Sequence, residues 1–366
     1  MKAKEIIDVM DKWAKPELID KWDNTGFQIG NEDNEINKIL LALDLDKYVV
    51  EKAVSEGYNM IITHHPIIFK PLKSITNKNK HEKLIYEIIR NDIAVYNAHS
   101  NLDLADGGVN DILADILGLK NVMPLQNAIV ERVLKLVVYV PKSHSVIIRQ
   151  VLGDCGAGII GNYSHCTFNI DGTGTFQPGE GSNPYIGNQG KIEEVEEVRI
   201  EAVVNEADIK RVLSAVIKSH PYEEVAYDIY PTLNNGKSYG YGRIGEVDEI
   251  LLTDYMGFIK EKLDTRNLIV YGNAKRKVKK VAICGGSGSD FIKDAYNKGA
   301  DIYITGDIKY HEAQSGVDFG LTLVDPGHYH TEKIILPAIK KQLDANLKKS
   351  ATIDIFNQPY MSYKIY

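Results

Sequence analysis

The sequence predicts an α/β protein in which mixed, largely parallel sheets are covered by helices, with an α+β domain of ferredoxin-like layout inserted in the middle. Three observations carry this. Short β-branched runs alternate with amphipathic segments in the first third of the chain, the same rhythm returns in the last third, and the middle third departs from it.

Residues 3–14 have helical spacing. The runs KILLALDLD (38–46), NMIITHHP (59–66) and DIAVYNAHS (92–100) read as strands, with helical patterns near 47–56, 79–91 and 107–117 between and after them. This is the βαβ rhythm of a parallel sheet. In the middle, RVLKLVVYVP (132–141), the segment around EVRIEAVVN (197–205) and VAYDIYP (225–231) bracket helical stretches near 145–153 and 206–218, which suits a β-α-β-β-α-β layout. Residues 156–190 are rich in Gly, Asn, Ser and Thr and read as a long hairpin or mobile loops. The βαβ rhythm resumes with strands KKVAICGG (279–286), ADIYITGD (300–307) and GLTLVDPG (320–327), followed by helices near 288–298, 308–315 and 328–346. The expected organisation is a discontinuous α/β domain, 1–125 plus 246–366, with 126–245 inserted.

Composition narrows the function. The chain has 366 residues, 44% apolar and 25% charged, as ordinary globular proteins do. Its net charge of −7, with neither sign in a long block, disfavours nucleic-acid binding through a broad basic face. The opening segment is charged throughout and no stretch approaches the ~20 apolar residues of a membrane span, so neither a signal peptide nor an anchor is expected. Cys155, Cys166 and Cys284 are odd in number and lack CxxC spacing, so a reducing, cytoplasmic setting is expected rather than a disulfide framework.

Six of the ten histidines fall in four short segments: HHP (64–66), HSNLD (99–103), GDIKYHEA (306–313) and DPGHYHTE (325–332). Each begins at the carboxyl end of a predicted strand, the edge where open α/β sheets bind ligands. Pro66 ends its strand, so the His64 and His65 rings can both face one site; taken alone, the pair equally reads as one buried and one exposed histidine. Asp103 lies where a strand gives way to the Gly107-Gly108 turn and reads as a ligand, with capping of the next helix as its alternative. His328 and Glu332 are spaced i, i+4 at a helix start and so share a face; alone they would pass for a capping histidine and a surface glutamate. Three imidazoles and two carboxylates exceed what one tetrahedral ion with an open position needs, but suit two divalent ions bridged by Glu332. Mixed nitrogen and oxygen ligands without thiolate fit zinc, iron, manganese or cobalt, among which geometry alone does not choose; zinc is the first expectation, with iron or manganese next. His99 reads as orienting a ligand or moving protons, and His330 as structural or as an acid/base beside the cleft. CGGSGSD (284–290) offers either backbone N–H groups to an anion or a plain tight turn. WDNTGFQIG (22–30) reads as a polar loop lining the cleft, its Trp22 and Phe27 serving equally well as core anchors.

Together WDNTGFQIG, ITHHPIIFKPLKSI (62–75), YNAHSNLDLADGGVND (96–111), ICGGSGSDF (283–291), TGDIKYHEA (305–313) and DPGHYHTEK (325–333) resemble the GTP cyclohydrolase 1 type 2 family, also called Ngg-interacting-factor-three-like. The resemblance covers nearly all of both outer segments, in order. It places the family's two-metal ligands on His64, His65, Asp103, His328 and Glu332, with Ser100 where the family has threonine. It implies that metal-activated water opens the guanine imidazole ring of GTP and releases formate, with His99, His311 or His330 as acid or base. For the triphosphate only Lys70, Lys73, Lys309 and the glycine loop are at hand. The segment SHPYEEVAYDIYP (219–231) resembles the insertion of longer bacterial members, which is similar to the PII and CutA folds. The resemblance also implies a homohexamer, a trimer of dimers. Another small-molecule hydrolase and a non-catalytic metal-binding assembly protein are the remaining readings.

Overall fold

Helix Ala3–Trp13 buries Ala3, Ile6, Ile7 and Met10, the i, i+3, i+4, i+7 stripe that turns one helical face to a core. The same economy recurs in helix Lys47–Glu56. Asp46 caps it by accepting from the N–H groups of Tyr48 and Val49, both at 2.9 Å, and Gly57 ends it at φ +73°. The coordinates, a computed structural model, describe residues 1–347 and 350–357; residues 348–349 and 358–366, at the end of the expected C-terminal half, lie outside them. Among the described residues no helix is long and apolar enough to cross a membrane.

The chain divides into two compact units: Met1–Ile129 with the chain from Tyr239 onward, and Val130–Ser238. In the first unit, strands Met60–Thr63, Lys38–Ala42, Ala94–Asn97 and Thr352–Ile355 pair in parallel around Lys38–Ala42 and Met60–Thr63, and Gly26–Ile29 adds an antiparallel edge. A second sheet in this unit repeats the plan. Lys277–Ser287, Ile302–Gly306 and Thr322–Asp325 run parallel, flanked by antiparallel Ile269–Tyr271 and by Arg243–Leu251 of strand Tyr227–Leu251. The central strands of both sheets are wholly buried, as strands covered on both faces must be. The fold class is therefore α/β, with mixed sheets in which the parallel strands Met60–Thr63, Ala94–Asn97, Ile302–Gly306 and Thr322–Asp325 lead into the histidine-bearing segments.

In the second unit, elements follow in the order strand, helix, strand, strand, helix, strand. Glu193–Asn205 pairs antiparallel with both Phe168–Phe176 and the later part of Lys120–Pro141. Its residues alternate between buried (Val198, Ile200, Ala202, Val204) and outward-facing, and the buried set packs with Ile148 and Leu152 of helix Ser145–Asp154 and Val212 and Val216 of helix Ile209–Ser219.

Several boundaries differ from the sequence reading for local reasons. The helix expected near 107–117 is preceded by a short one, Ser100–Leu104, that carries Asp103, and the helix expected at 328–346 breaks into His328–Glu332 and Ile335–Asn346. Strand Phe168–Phe176 forms inside 156–190, so that stretch is partly a paired hairpin.

Candidate metal centre

The strand Met60–Thr63 ends one residue before His64, and the chain bends there: the His65 N–H donates to Leu43 O and the Thr63 hydroxyl to His65 O. The bend turns two consecutive rings to one side, their centroids 5.0 Å apart. His64 is fully buried and its Nδ1 donates to Ala98 O at 2.8 Å. Nδ1 of His65 meets Asp44 Oδ1 at 2.8 Å, and Nδ1 of His328 meets Asp307 Oδ2 at 2.8 Å. All three rings thus spend Nδ1–H on an oxygen and present Nε2 to a common point, the arrangement in which a second oxygen fixes the tautomer of a ligating histidine.

What Nε2 faces is more acceptors. His65 Nε2 lies 3.1 Å and His328 Nε2 2.9 Å from Glu332 Oε2, while His64 Nε2 lies 3.8 Å from Glu332 Oε1 and 3.6 Å from Asp103 Oδ1. His65 and His328 Nε2 are themselves 3.4 Å apart. Glu332, its side chain only 4% exposed, stands in the middle. His64 Nε2, Asp103 Oδ1 and Glu332 Oε2 are buried without a hydrogen-bond partner. An unsatisfied buried polar atom costs about 1–3 kcal/mol, so three at one point are an arrangement that positive charge must complete. The five residues read from the sequence as ligands are thereby brought together, and their chemistry fits a divalent cation. Two overlapping groups, His64 with His65 and His99, and His65 with His328 and Glu332, each hold their ligand atoms within 4.8 Å.

Without a cation, protons take its place. Burial opposes charge on His65, yet the Glu332 and Asp44 carboxylates outweigh it and hold the ring protonated well above the usual imidazole range. Against the same burial, Glu332 and Asp307 push His328 up to about 9. Glu332 goes the other way: burial favours its neutral form, but the imidazoles of His65, His328 and His64 keep it ionised. Asp103 is raised by burial, which His64 and His99 only partly offset.

Neighbouring elements shape the centre. Gly286 has φ +64°, and a Cβ there would lie 2.1 Å from Glu332 Oε1, so a glycine is required on both counts. The glycine loop's N–H groups are already used: Gly285 donates to Asn110 Oδ1, Gly286 to Thr331 Oγ1 and Gly288 to Thr305 Oγ1. The loop is packing for the ligand helix, which favours the tight-turn reading over an anion cradle. Asp103 caps nothing: helix Val109–Ile116 starts at Gly108 without a side-chain cap, and the Gly107 N–H donates to Asp111.

His99 stands with the ligand rings, 5.1 Å from His64 and 5.3 Å from His65 between centroids, its Nδ1 on Asp23 Oδ1 at 3.0 Å. The other two acid/base candidates are elsewhere. His330 lies two residues from His328, on another helical face, with Nδ1 on Leu263 O at 3.2 Å; His311 is exposed at the start of helix Tyr310–Asp318, edge-on to Tyr310. Neither belongs to either ligand group. The sequence reading missed Asp44 and Asp307, each a lone acid just past a strand; Asp307 also adopts φ +57°, a conformation uncommon outside glycine.

The family Duf34/NIF3 (NGG1p interacting factor 3) matches residues 1–360. A GTP cyclohydrolase 1 type 2 homolog of Halalkalibacterium halodurans is 44% identical over 344 residues, 94% of this chain and 92% of that protein; one from Bacillus subtilis is 42% identical over 342 residues, 93% and 91%. The crystal structure of a Bacillus cereus protein related to NIF3 superposes with a TM-score of 0.91 at 41% identity, covering 99% of both chains, and that of a Staphylococcus aureus protein with 0.79 at 30%, also covering 99% of both. With the match running through both outer segments and the stretch between them, this chain belongs to the Duf34/NIF3 family.

Proposed function

We propose that the chain is a metal-dependent hydrolase in which His64, His65, Asp103, His328 and Glu332 hold two divalent ions, zinc first and iron or manganese next, and that GTP, named in the description of its relatives, is the first substrate to test. The observation that carries this reading is the convergence of three imidazole Nε2 atoms and two carboxylates on a point where no donor stands.

Divalent ions held there would bring the pKa of a bound water toward ~7 and supply a nucleophile near neutral pH. The chain's own part is to hold ligands and handle protons. Glu332 offers Oε1 to the His64 side and Oε2 to the His65 and His328 side, the placement of a bridging ligand. Asp23 is buried, yet bonds from His99, the Ser100 hydroxyl and the Thr25 hydroxyl keep it ionised far below the usual carboxylate range. It fixes His99 through Nδ1, leaving Nε2 as the nitrogen that can move a proton. Ser100, where the family resemblance has threonine, keeps the hydroxyl this needs. Beside His99 stand two exposed rings, Trp22 at 5.9 Å from it and Phe69 at 6.0 Å from Trp22, a lip against which a planar heterocycle can stack.

A second reading, hydrolysis of another small substrate, is favoured by one observation: of the groups expected for a triphosphate, the glycine loop and Lys309 are committed elsewhere. The glycine N–H groups are bonded internally, and Lys309 is 82% exposed and paired with Glu312. The test is formate release from GTP by protein reconstituted separately with zinc, manganese and iron, with Glu332→Gln as blank. Formate matching GTP consumed, and absent from the blank, is expected. Intact GTP in protein carrying two ions per chain would reject GTP and leave the second reading.

A further inference from the structure

The second unit contains a cavity of about 400 Å³, a size typical of small-molecule sites. Its wall is aromatic: Phe176 and Tyr185 flank Tyr222 at centroid distances of 5.8 and 6.5 Å, and Tyr139 also lines it. The wall is rigidly built. The buried His220 ring accepts the Tyr222 N–H on Nδ1 at 3.1 Å and, with that nitrogen occupied, donates from Nε2 to Tyr139 O at 3.0 Å, so one ring ties two wall residues together. Burial, together with the nearby His144, lowers the His220 pKa against the bond to Tyr139 O and keeps that neutral tautomer. The segment over the cavity is fixed as well, the Asn183 N–H donating to Glu223 and the Gln189 side chain to Ser182 O.

The charged groups lining it have one sign. Glu197 lines the cavity with its Oε1 accepting the Tyr222 hydroxyl at 2.9 Å, and its Oε2 lies over Gly174, where a Cβ would come within 2.3 Å. Glu223 and Glu224 also line it, and among the described residues no lysine or arginine does. An anion would meet repulsion here, and a neutral apolar guest would desolvate Glu197 without return. A cation meets ring faces and a carboxylate together, which are its two standard partners.

We propose that this cavity binds a small organic cation of the amine, amidine or guanidine class, its carbon body against Phe176, Tyr185 and Tyr222 and its N–H groups donating to Glu197. The residues lining the cavity all belong to the second unit. The test is calorimetric titration of the full, metal-loaded chain with benzamidine, using benzoate and benzyl alcohol as shape-matched controls. Benzamidine is expected to bind at least tenfold more tightly than either control, and Glu197→Gln to weaken it at least tenfold. Tyr185, 55% exposed and outside the core, supplies a second variant in case Glu197→Gln fails to fold, and Tyr185→Ala is expected to weaken benzamidine at least fivefold. No binding of benzamidine at millimolar concentration, controls binding as well as benzamidine, or unchanged affinity in the folded variants would overturn the assignment.

Discussion

Two buried histidine sites in this molecule are built in opposite ways. In the second unit His220 has both ring nitrogens matched, an N–H on Nδ1 and a carbonyl on Nε2, and burial, helped by the His144 imidazole, moves its pKa down against the bond to Tyr139 O. At the candidate metal centre the Nδ1 atoms of His64, His65 and His328 meet neutral or carboxylate oxygens, His64 Nε2 has no hydrogen-bond partner, and the Nε2 atoms of His65 and His328 face Glu332, whose charge raises their pKa values. A saturated ring is architecture. A ring half saturated and pointed at other acceptors is a place kept for positive charge, and that difference, more than histidine content, separates a structural histidine from a ligand.

Glu332→Gln should break the contrast most severely, because it replaces the central acceptor by an amide that puts a donor among the Nε2 atoms. Metal affinity is expected to fall by more than 10²-fold, read as ions retained per chain after dialysis, and hydrolysis should disappear with it. Asp307→Asn and Asp44→Asn leave every ligand in place but loosen the tautomer of His328 or His65; a loss of about 10–100-fold in metal affinity is expected. Affinity unchanged in both would mean that these carboxylates do not set the ligands. His220→Ala should do the reverse, leaving metal content intact while destabilising the second unit by about 1–3 kcal/mol, measured by denaturant unfolding, because Tyr222 N–H and Tyr139 O lose their partner.

The smallest effect is in pH dependence, where the two sites should have opposite signs. In metal-stripped protein the folded pKa of His328, about 9, exceeds the ordinary 6.5, so its contribution to stability is complete below pH 6.5 and is lost as pH rises toward 9. His220 has a lowered folded pKa, so its contribution is complete above 6.5 and is lost as pH falls through that lowered value. Melting of stripped protein and of stripped His220→Ala across pH 5 to 9 separates the two. A stripped centre that gains stability above pH 7 would contradict the proton-for-metal picture.

Much of the centre was legible because its ligands sit where strand grammar ends: HHP, HSNLD and DPGHYHTE each follow a β-branched run, and the i, i+4 spacing of His328 and Glu332 defines a face. Asp44 and Asp307 were not legible, since a lone aspartate after a strand also caps helices, as Asp46 does two residues later. Helical spacing could place His330 away from His328, but only tertiary structure shows it bonded to Leu263 O and His311 at the surface. In the fold, strand Tyr227–Leu251 runs through NNGKSYGYG, whose Asn and Gly favour turns locally; the strand's place between two neighbours in its sheet overrides that local preference. The strands Gly26–Ile29, Ile269–Tyr271 and Thr352–Ile355 are three or four residues long and at sheet edges, too short to leave a periodic pattern.

The central claim is that the converging acceptors form a two-ion site organised by Glu332. Metal stoichiometry of stripped protein titrated with zinc, manganese or iron, run beside Glu332→Gln, tests it most directly. Two ions per wild-type chain, with most of that binding lost in the variant, is the predicted result; one ion or none in wild type, or two retained by Glu332→Gln, would contradict it.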